Sequence, residues 1–166
     1  TKGKHVYVEK PLAINDEQLN QLIVACDGKS IIQVGFNRRF SSHADRARKA
    51  ISGGQAVLSY RINAGEIPVD SWIHDPESGG GRIIGEVCHF VDFANFVLDA
   101  RPVRVQAAQV AQRTTHDDVT ISVTYDNGSL ATVLYLAKGN PRLAKEFIEV
   151  FGDGTAVSIE NFRKTT

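Results

Sequence analysis

The sequence predicts an α+β fold: an open, mostly antiparallel sheet with helices on one face, preceded by a short remnant of α/β structure. Three observations lead there. From Arg101 onward apolar residues recur at period two, as Val103-Val105-Ala107, Val119-Ile121-Val123-Tyr125 and Leu130-Thr132-Leu134-Leu136, which is the pattern of sheet. Asp126-Asn127-Gly128 and Phe151-Gly152-Asp153-Gly154-Thr155 read as hairpin turns in which Gly supplies positive φ, so antiparallel neighbours follow. The first 36 residues instead read strand, helix, strand, the tail of an α/β unit, where ligands collect at the carboxyl ends of strands.

The apolar run His5-Val6-Tyr7-Val8 reads as the first strand. Asn15 to Cys26 places Leu19, Leu22, Ile23 and Cys26 at helical spacing, with Asn15 as N-cap and Asp16 and Glu17 in the first turn, the charge the helix dipole favours there. Ile31-Ile32-Gln33-Val34-Gly35-Phe36 reads as a buried strand that ends at a Gly and passes into the polar Asn37-Arg38-Arg39-Phe40-Ser41. Ala44 to Ile51 is helical, Gly53-Gly54 stops it, and Ala56 to Ala64 is a strand. Gly65 to Gly81 is a long connection rich in Gly, Pro and Asp, and such ordered loops often carry function. Three glycines then open a helix from Arg82 to Leu98 with Ile84, Val87, Cys88, Val91 and Leu98 as its apolar stripe.

Composition removes several function classes. At 166 residues, 42% hydrophobic and 23% charged, the chain can bury one good core. Nineteen Lys+Arg balance nineteen Asp+Glu without a basic run, so nucleic acid and anionic membranes are not expected partners. No stretch reaches the roughly 18 apolar residues of a membrane span, and no signal peptide is visible, so a cytoplasmic location is expected. Cys26 and Cys88 lack metal-ligand spacing and read as reduced, largely buried thiols, with no metal expected. The chain opens without Met on a strand, the expectation for a piece of something longer.

Three groups of residues can carry chemistry. Glu9-Lys10-Pro11 lies where an apolar strand ends, so the pair faces a crevice, and a proline, itself able to be cis, fixes the direction of Lys10. A partly desolvated lysine there can donate or accept a proton; the alternative is a solvated lysine at a loop start. In the Arg82–Leu98 helix, Gly85, His89, Asp92 and Phe96 share a face opposite the apolar stripe. Asp92 can orient the imidazole and Glu86 offers a second carboxylate, although the Arg82–Glu86 spacing is also that of a surface ion pair worth little. The loop Ile67 to Asp75 holds the only Trp, Trp72, which either stacks on the apolar face of a sugar ring or plugs the core beneath the loop.

GKHVYVEKPLA, VGFNRRF and GGGRIIGEVCHFVD together resemble the glucose-fructose oxidoreductase/inositol dehydrogenase/rhizopine catabolism (Gfo/Idh/MocA) family in order and spacing along nearly the whole chain. The longer string GEIPVDSWIHDPESGGGRIIGEVCHFVD looks most like a subgroup in which this module ends a polypeptide that also carries a zinc-type alcohol-dehydrogenase-like region. The resemblance implies residues 1–36 as the end of a truncated Rossmann domain and 37–166 as a C-terminal domain for substrate binding and oligomerisation. It implies NAD or NADP as cofactor, with Glu9, Lys10 and Pro11 between nicotinamide and substrate, and a homo-oligomer joined through the sheet. In the family's helix motif, D-x-G-x-H-x-x-D, His89 and Asp92 match the His and the second Asp. The first Asp falls on Gly85 and the Gly on Val87, so Glu86 is the candidate replacement, one residue on and about 100° round the helix.

The expected function is then hydride transfer between nicotinamide and a carbinol of a sugar, cyclitol or polyol derivative. Lys10, His89 and Glu86 are its catalytic candidates, and Asn37, Arg39, Trp72, His74 and Asp92 its substrate contacts. Nothing matches G-x-G-x-x-G after a strand, and a dinucleotide fold needs roughly 100 to 150 further residues, so the chain alone is expected to be inactive. The competing class is a non-catalytic oligomerisation or ligand-binding scaffold with a degenerate site, which Gly85 favours. A free-standing sugar-binding module explains Trp72 but not the α/β start.

Overall fold

A computed structural model describes residues 3–26, 28–51, 54–111 and 117–166. β1 (Val6–Val8) and β2 (Ile32–Val34) form a two-stranded parallel sheet, joined by α1 (Asp16–Ala25), whose Asn15 cap accepts the Gln18 amide at 2.8 Å. The expected buried strand is shorter and half-exposed, and α1 buries no side chain: Ile23 and Val24 are 61% and 86% exposed. Apolar surface of this kind is built to be covered.

A 3₁₀ turn (Asn37–Phe40) leads into α2 (Ser42–Ala50), capped by the Ser41 hydroxyl on the Ala44 amide. Of the expected stop, Gly54 lies in a bend, while Gly53 lies outside the described residues. The second sheet has seven strands in the order β4 (Pro102–Gln109), β5 (Val119–Tyr125), β6 (Leu130–Leu136), β3 (Val57–Asn63), β7 (Glu146–Gly152), β8 (Thr155–Glu160) and β9 (Lys164–Thr165). Only β3 and β6 run parallel; every other pair is antiparallel. Both hairpin turns form as expected, with Gly128 at φ 85° and Asp153-Gly154 at 50° and 75°.

The helix after the glycines is not uniform. Its first turn, Ile83–Val87, is π-helical and continues as α3 (Cys88–Leu98). The inserted turn rotates the expected stripe: Ile84 is 42% exposed and Cys88 and Val91 are half-buried, while Val87, Phe90, Phe93, Ala94, Val97 and Leu98 face the core. α2 and α3 cover one face of the sheet, where Leu58, Tyr60, Ile62, Ile121, Val133, Ile148 and Ile159 are buried. Tyr60 meets Phe90 and Phe93 edge-on at 5.0 and 5.4 Å, a geometry aromatic pairs favour.

The other face of the sheet is open. In β6 it is Ala131, Val133 and Tyr135 that are buried, not the Leu130-Thr132-Leu134-Leu136 row read from sequence, because both rows of this strand are apolar enough to pass for the inner one. β4 is exposed at all eight positions, Val103 and Val105 included. Of the cysteines, Cys26 is exposed and Cys88 half-buried, both free, so the expectation of burial fails for Cys26. Among the described residues no helix is long and apolar enough to cross a membrane.

Candidate active site

Because β1 and β2 are parallel, their carboxyl ends lie together, and Lys10 follows β1 at that end. The Lys10–Pro11 peptide is cis, and the Lys10 ammonium donates to the Gly85 carbonyl oxygen at 2.8 Å. Gly85 lies in the π turn, a rare element that concentrates at functional sites. Lys10, Pro11 and Gly85 line a cleft of about 510 Å³. Glu86, His89 and Phe90 line it from the same helix and Trp72 and Ile73 from the long loop, with Arg38 and Lys145 also on its wall.

His89 is 8% exposed, and its Nδ1 is buried without a hydrogen-bond partner among the described residues. Its ring stands edge-on to Phe36 at 6.0 Å and tilted to Phe90 at 6.4 Å. Burial, followed by the Arg38 and Lys10 charges, pushes its pKa down to about 4, so the imidazole is neutral at physiological pH. The Asp92 partner read from the sequence is engaged elsewhere: its carboxylate accepts from both Arg39 Nε, at 2.9 Å, and Arg39 Nη2. The i+3 spacing was right, but a bidentate guanidinium is the stronger partner for a carboxylate.

Glu86 lies in the π turn and lines the cleft. It is also held from behind: Oε2 accepts the Tyr135 hydroxyl at 2.6 Å, and Oε1 accepts Arg82 Nε at 3.1 Å. Burial alone would raise the Glu86 carboxyl, but Tyr135 and Arg82 outweigh it and hold the group below its ordinary pKa, as a carboxylate. Arg82 is 2% exposed and donates to the Gly65 carbonyl at 2.6 Å, so the surface ion pair suggested by spacing is a buried one.

The remaining substrate candidates divide. Trp72 is 68% exposed and lines the cleft, which excludes the core-plug reading. Asn37, Arg39, His74 and Asp92 do not line it: Asn37 is exposed on the 3₁₀ turn, Arg39 and Asp92 hold each other, and His74 has a buried Nε2 with no hydrogen-bond partner among the described residues. Glu9 is exposed beside Gly35. The sequence reading missed Arg38, Phe90 and Lys145. Arg38 Nε and Nη2 donate to Glu146 at 2.9 and 2.8 Å, Tyr60 donates to the same carboxylate, and the guanidinium lies 5.0 Å over Phe90. Nothing but adjacency distinguished it from Arg39. An ammonium and a neutral imidazole sharing one cleft can hold and move a proton at a substrate hydroxyl. Among the described residues no group of three or more His, Cys, Asp or Glu could hold a metal.

Comparison with known proteins identifies the family and the fold. Residues 46–158 match the family model of the GFO/IDH/MocA C-terminal domain. Inositol 2-dehydrogenase of Rhizobium meliloti is 32% identical over 97% of the chain and 51% of its own length. 1,5-Anhydro-D-fructose reductase of Ensifer adhaerens is 30% identical over 78% of the chain and 42% of its own. The fold matches an NAD binding oxidoreductase from Klebsiella pneumoniae with a TM-score of 0.80, at 24% identity, over 97% of this chain and 48% of that one. The chain spans about half the length of the curated relatives it matches.

Proposed function

The chain belongs to the GFO/IDH/MocA family, and from that premise we propose that it is the C-terminal, substrate-side part of an NAD(P)-dependent oxidoreductase acting on a carbinol of a cyclitol, sugar or related polyol. The observation that carries the reading is the single cleft lined by both Lys10 and His89, from positions far apart in the sequence, at the carboxyl ends of two parallel strands. Relatives whose names describe inositol and anhydrofructose chemistry support the substrate class.

The residues fit the nicotinamide end of such a cofactor: the cleft opens beside Lys10, and the buried His89 Nδ1 has no partner among the described residues. Glu9, Lys10 and Pro11 would hold that end, and the remainder would rest on a dinucleotide domain of which residues 1–36 are the last part and 37–166 the neighbour. The cofactor supplies the hydride acceptor or donor. The chain's own task is the proton. Lys10 Nζ, now on the Gly85 carbonyl, is placed to donate to a substrate oxygen, and the neutral His89 ring to receive the hydroxyl proton. Trp72 offers an exposed indole to the apolar face of the ring. The open face of the sheet would pair subunits, and sedimentation showing monomers alone would refute that part.

The second reading, a non-catalytic scaffold, is favoured by one observation: Lys10 meets a peptide carbonyl, and Glu86, a carboxylate that feels the Lys10 charge, is occupied by Arg82 and Tyr135. The two separate on measurement of NAD(H) and NADP(H) binding and of myo-inositol oxidation by the full-length protein. Lys10→Ala and His89→Ala should each lower kcat by about 10²-fold or more. Cofactor binding with turnover unaffected by either change would reject the assignment.

A further inference from the structure

Two of the charges lining the cleft are matched by an opposite charge. Arg38 is neutralised by Glu146 and Glu86 by Arg82. Among the described residues neither Lys10 nor Lys145 is in an ion pair: Lys10 rests on the Gly85 carbonyl, and Lys145 is exposed at the head of β7. With their direct partners, the ionised groups are four cations, Lys10, Arg38, Arg82 and Lys145, against two carboxylates, Glu86 and Glu146. The chain as a whole has no net charge, so the imbalance is local to this concavity, where low-dielectric walls focus the field.

The neutral hydroxyls of a polyol leave that imbalance standing; an anion reduces it. Arg38 is partly free to help, since Nε and Nη2 serve Glu146 while Nη1 makes no hydrogen bond among the described residues. Its fork is held in place by Glu146 and by Phe90 beneath it, so a ligand would not have to order it. There is also room beside Lys10: a Cβ at Gly85 would meet only the Gly79 carbonyl oxygen, at 3.9 Å.

We infer that the cleft selects a sugar or cyclitol derivative bearing an anionic substituent, a carboxylate or a phosphate, with Lys145 as the specificity-determining contact and Arg38 beside it, Lys10 remaining at the reacting carbinol. The inference deepens the function proposed above and rests on it only for the carbinol end.

The test is binding and turnover by the full-length protein with three probes of one ring: D-glucose, D-glucuronate and D-glucose 6-phosphate. At least one anion should bind about tenfold more tightly than D-glucose, with the preference shrinking as salt is raised. The two anionic arms decide between carboxylate and phosphate. Lys145→Gln should abolish the preference and Lys145→Arg should restore it, circular dichroism confirming that both variants fold. Equal binding of all three sugars, or a preference that survives Lys145→Gln, overturns the inference. Selective anion binding without NAD- or NADP-dependent turnover would sink the oxidoreductase reading and leave this one standing. Oxidation of D-glucose with no preference for either anion would do the reverse.

Discussion

Arg82→Met removes a guanidinium that is 2% exposed and leaves its partner behind. Arg82 donates to Glu86 at 3.1 and 3.5 Å and to the Gly65 carbonyl at 2.6 Å, and lies 5.2 Å over the Tyr135 ring. Breaking a buried pair from one side costs about 3–5 kcal/mol, because the remaining charge is stranded. Glu86 keeps 28% of its side chain in contact with solvent, and Met preserves much of the packing on Tyr135, so the low end applies: about 3 kcal/mol, or roughly 6–12 °C in Tm for a chain of this size. The pH dependence follows from Glu86, whose folded pKa is lowered. Such a group stabilises above its unfolded pKa of about 4.3, and the contribution is lost as pH falls through the folded value. The deficit of the variant should therefore be largest near neutrality and shrink as the pH falls below the ordinary carboxylate range. Urea unfolding of both proteins at several pH values measures it, with Arg48→Met as control: its pair with Asp99 is 38% and 74% exposed and should be worth less than about 0.5 kcal/mol. A deficit below about 1 kcal/mol, or one independent of pH, refutes the reasoning.

His89 titrates at about 4 in the folded chain against about 6.5 unfolded. Between these values the unfolded chain takes up a proton that the folded one refuses, so stability should fall as pH drops through that window, by up to about 3 kcal/mol. His89→Gln should flatten that limb of the stability curve, and an unchanged limb would show that the imidazole is not buried and neutral. Two glycines should behave oppositely. A Cβ at Gly79 would sit 2.4 Å from the carbonyl oxygens of Trp72 and Ile73, so Gly79→Ala should destabilise by about 2 kcal/mol or more. Gly85→Ala, in open space within a helix, should be neutral or stabilising by about 0.5–1 kcal/mol; equal effects in calorimetry would contradict both contacts.

Local chemistry made much of this fold legible. Asn15 caps as its type predicts, Gly128 and Gly154 turn their hairpins, and Val119-Ile121-Val123-Tyr125 is the buried row of β5. What stayed hidden depends on neighbours remote in sequence. The π turn has no signature in Ile83–Val87, yet it is the turn that carries Glu86 at the cleft. Asp92 had two possible partners, His89 at helical spacing and Arg39 across a gap, and the stronger one was not local. Arg38 and Arg39 are adjacent, but one pairs with β7 and the other with α3. Lys145 entered no pattern, because a lone lysine before a strand acquires meaning only from what surrounds it.

The position of β3 has a kinetic consequence. Val57 pairs with Leu130 on one side and Phe151 on the other, so the strand earliest in the sheet's sequence is its spatial middle. The β5–β6 and β7–β8 hairpins each close a short loop and can form on their own, but they become one sheet only when residues 57–63 are threaded between them, across most of the domain's length. Closing such distant contacts is slow. During that interval β6 and β7 both present unpaired edges, each a template for a strand of another molecule, so refolding at high concentration should lose material to aggregation at this step before any other.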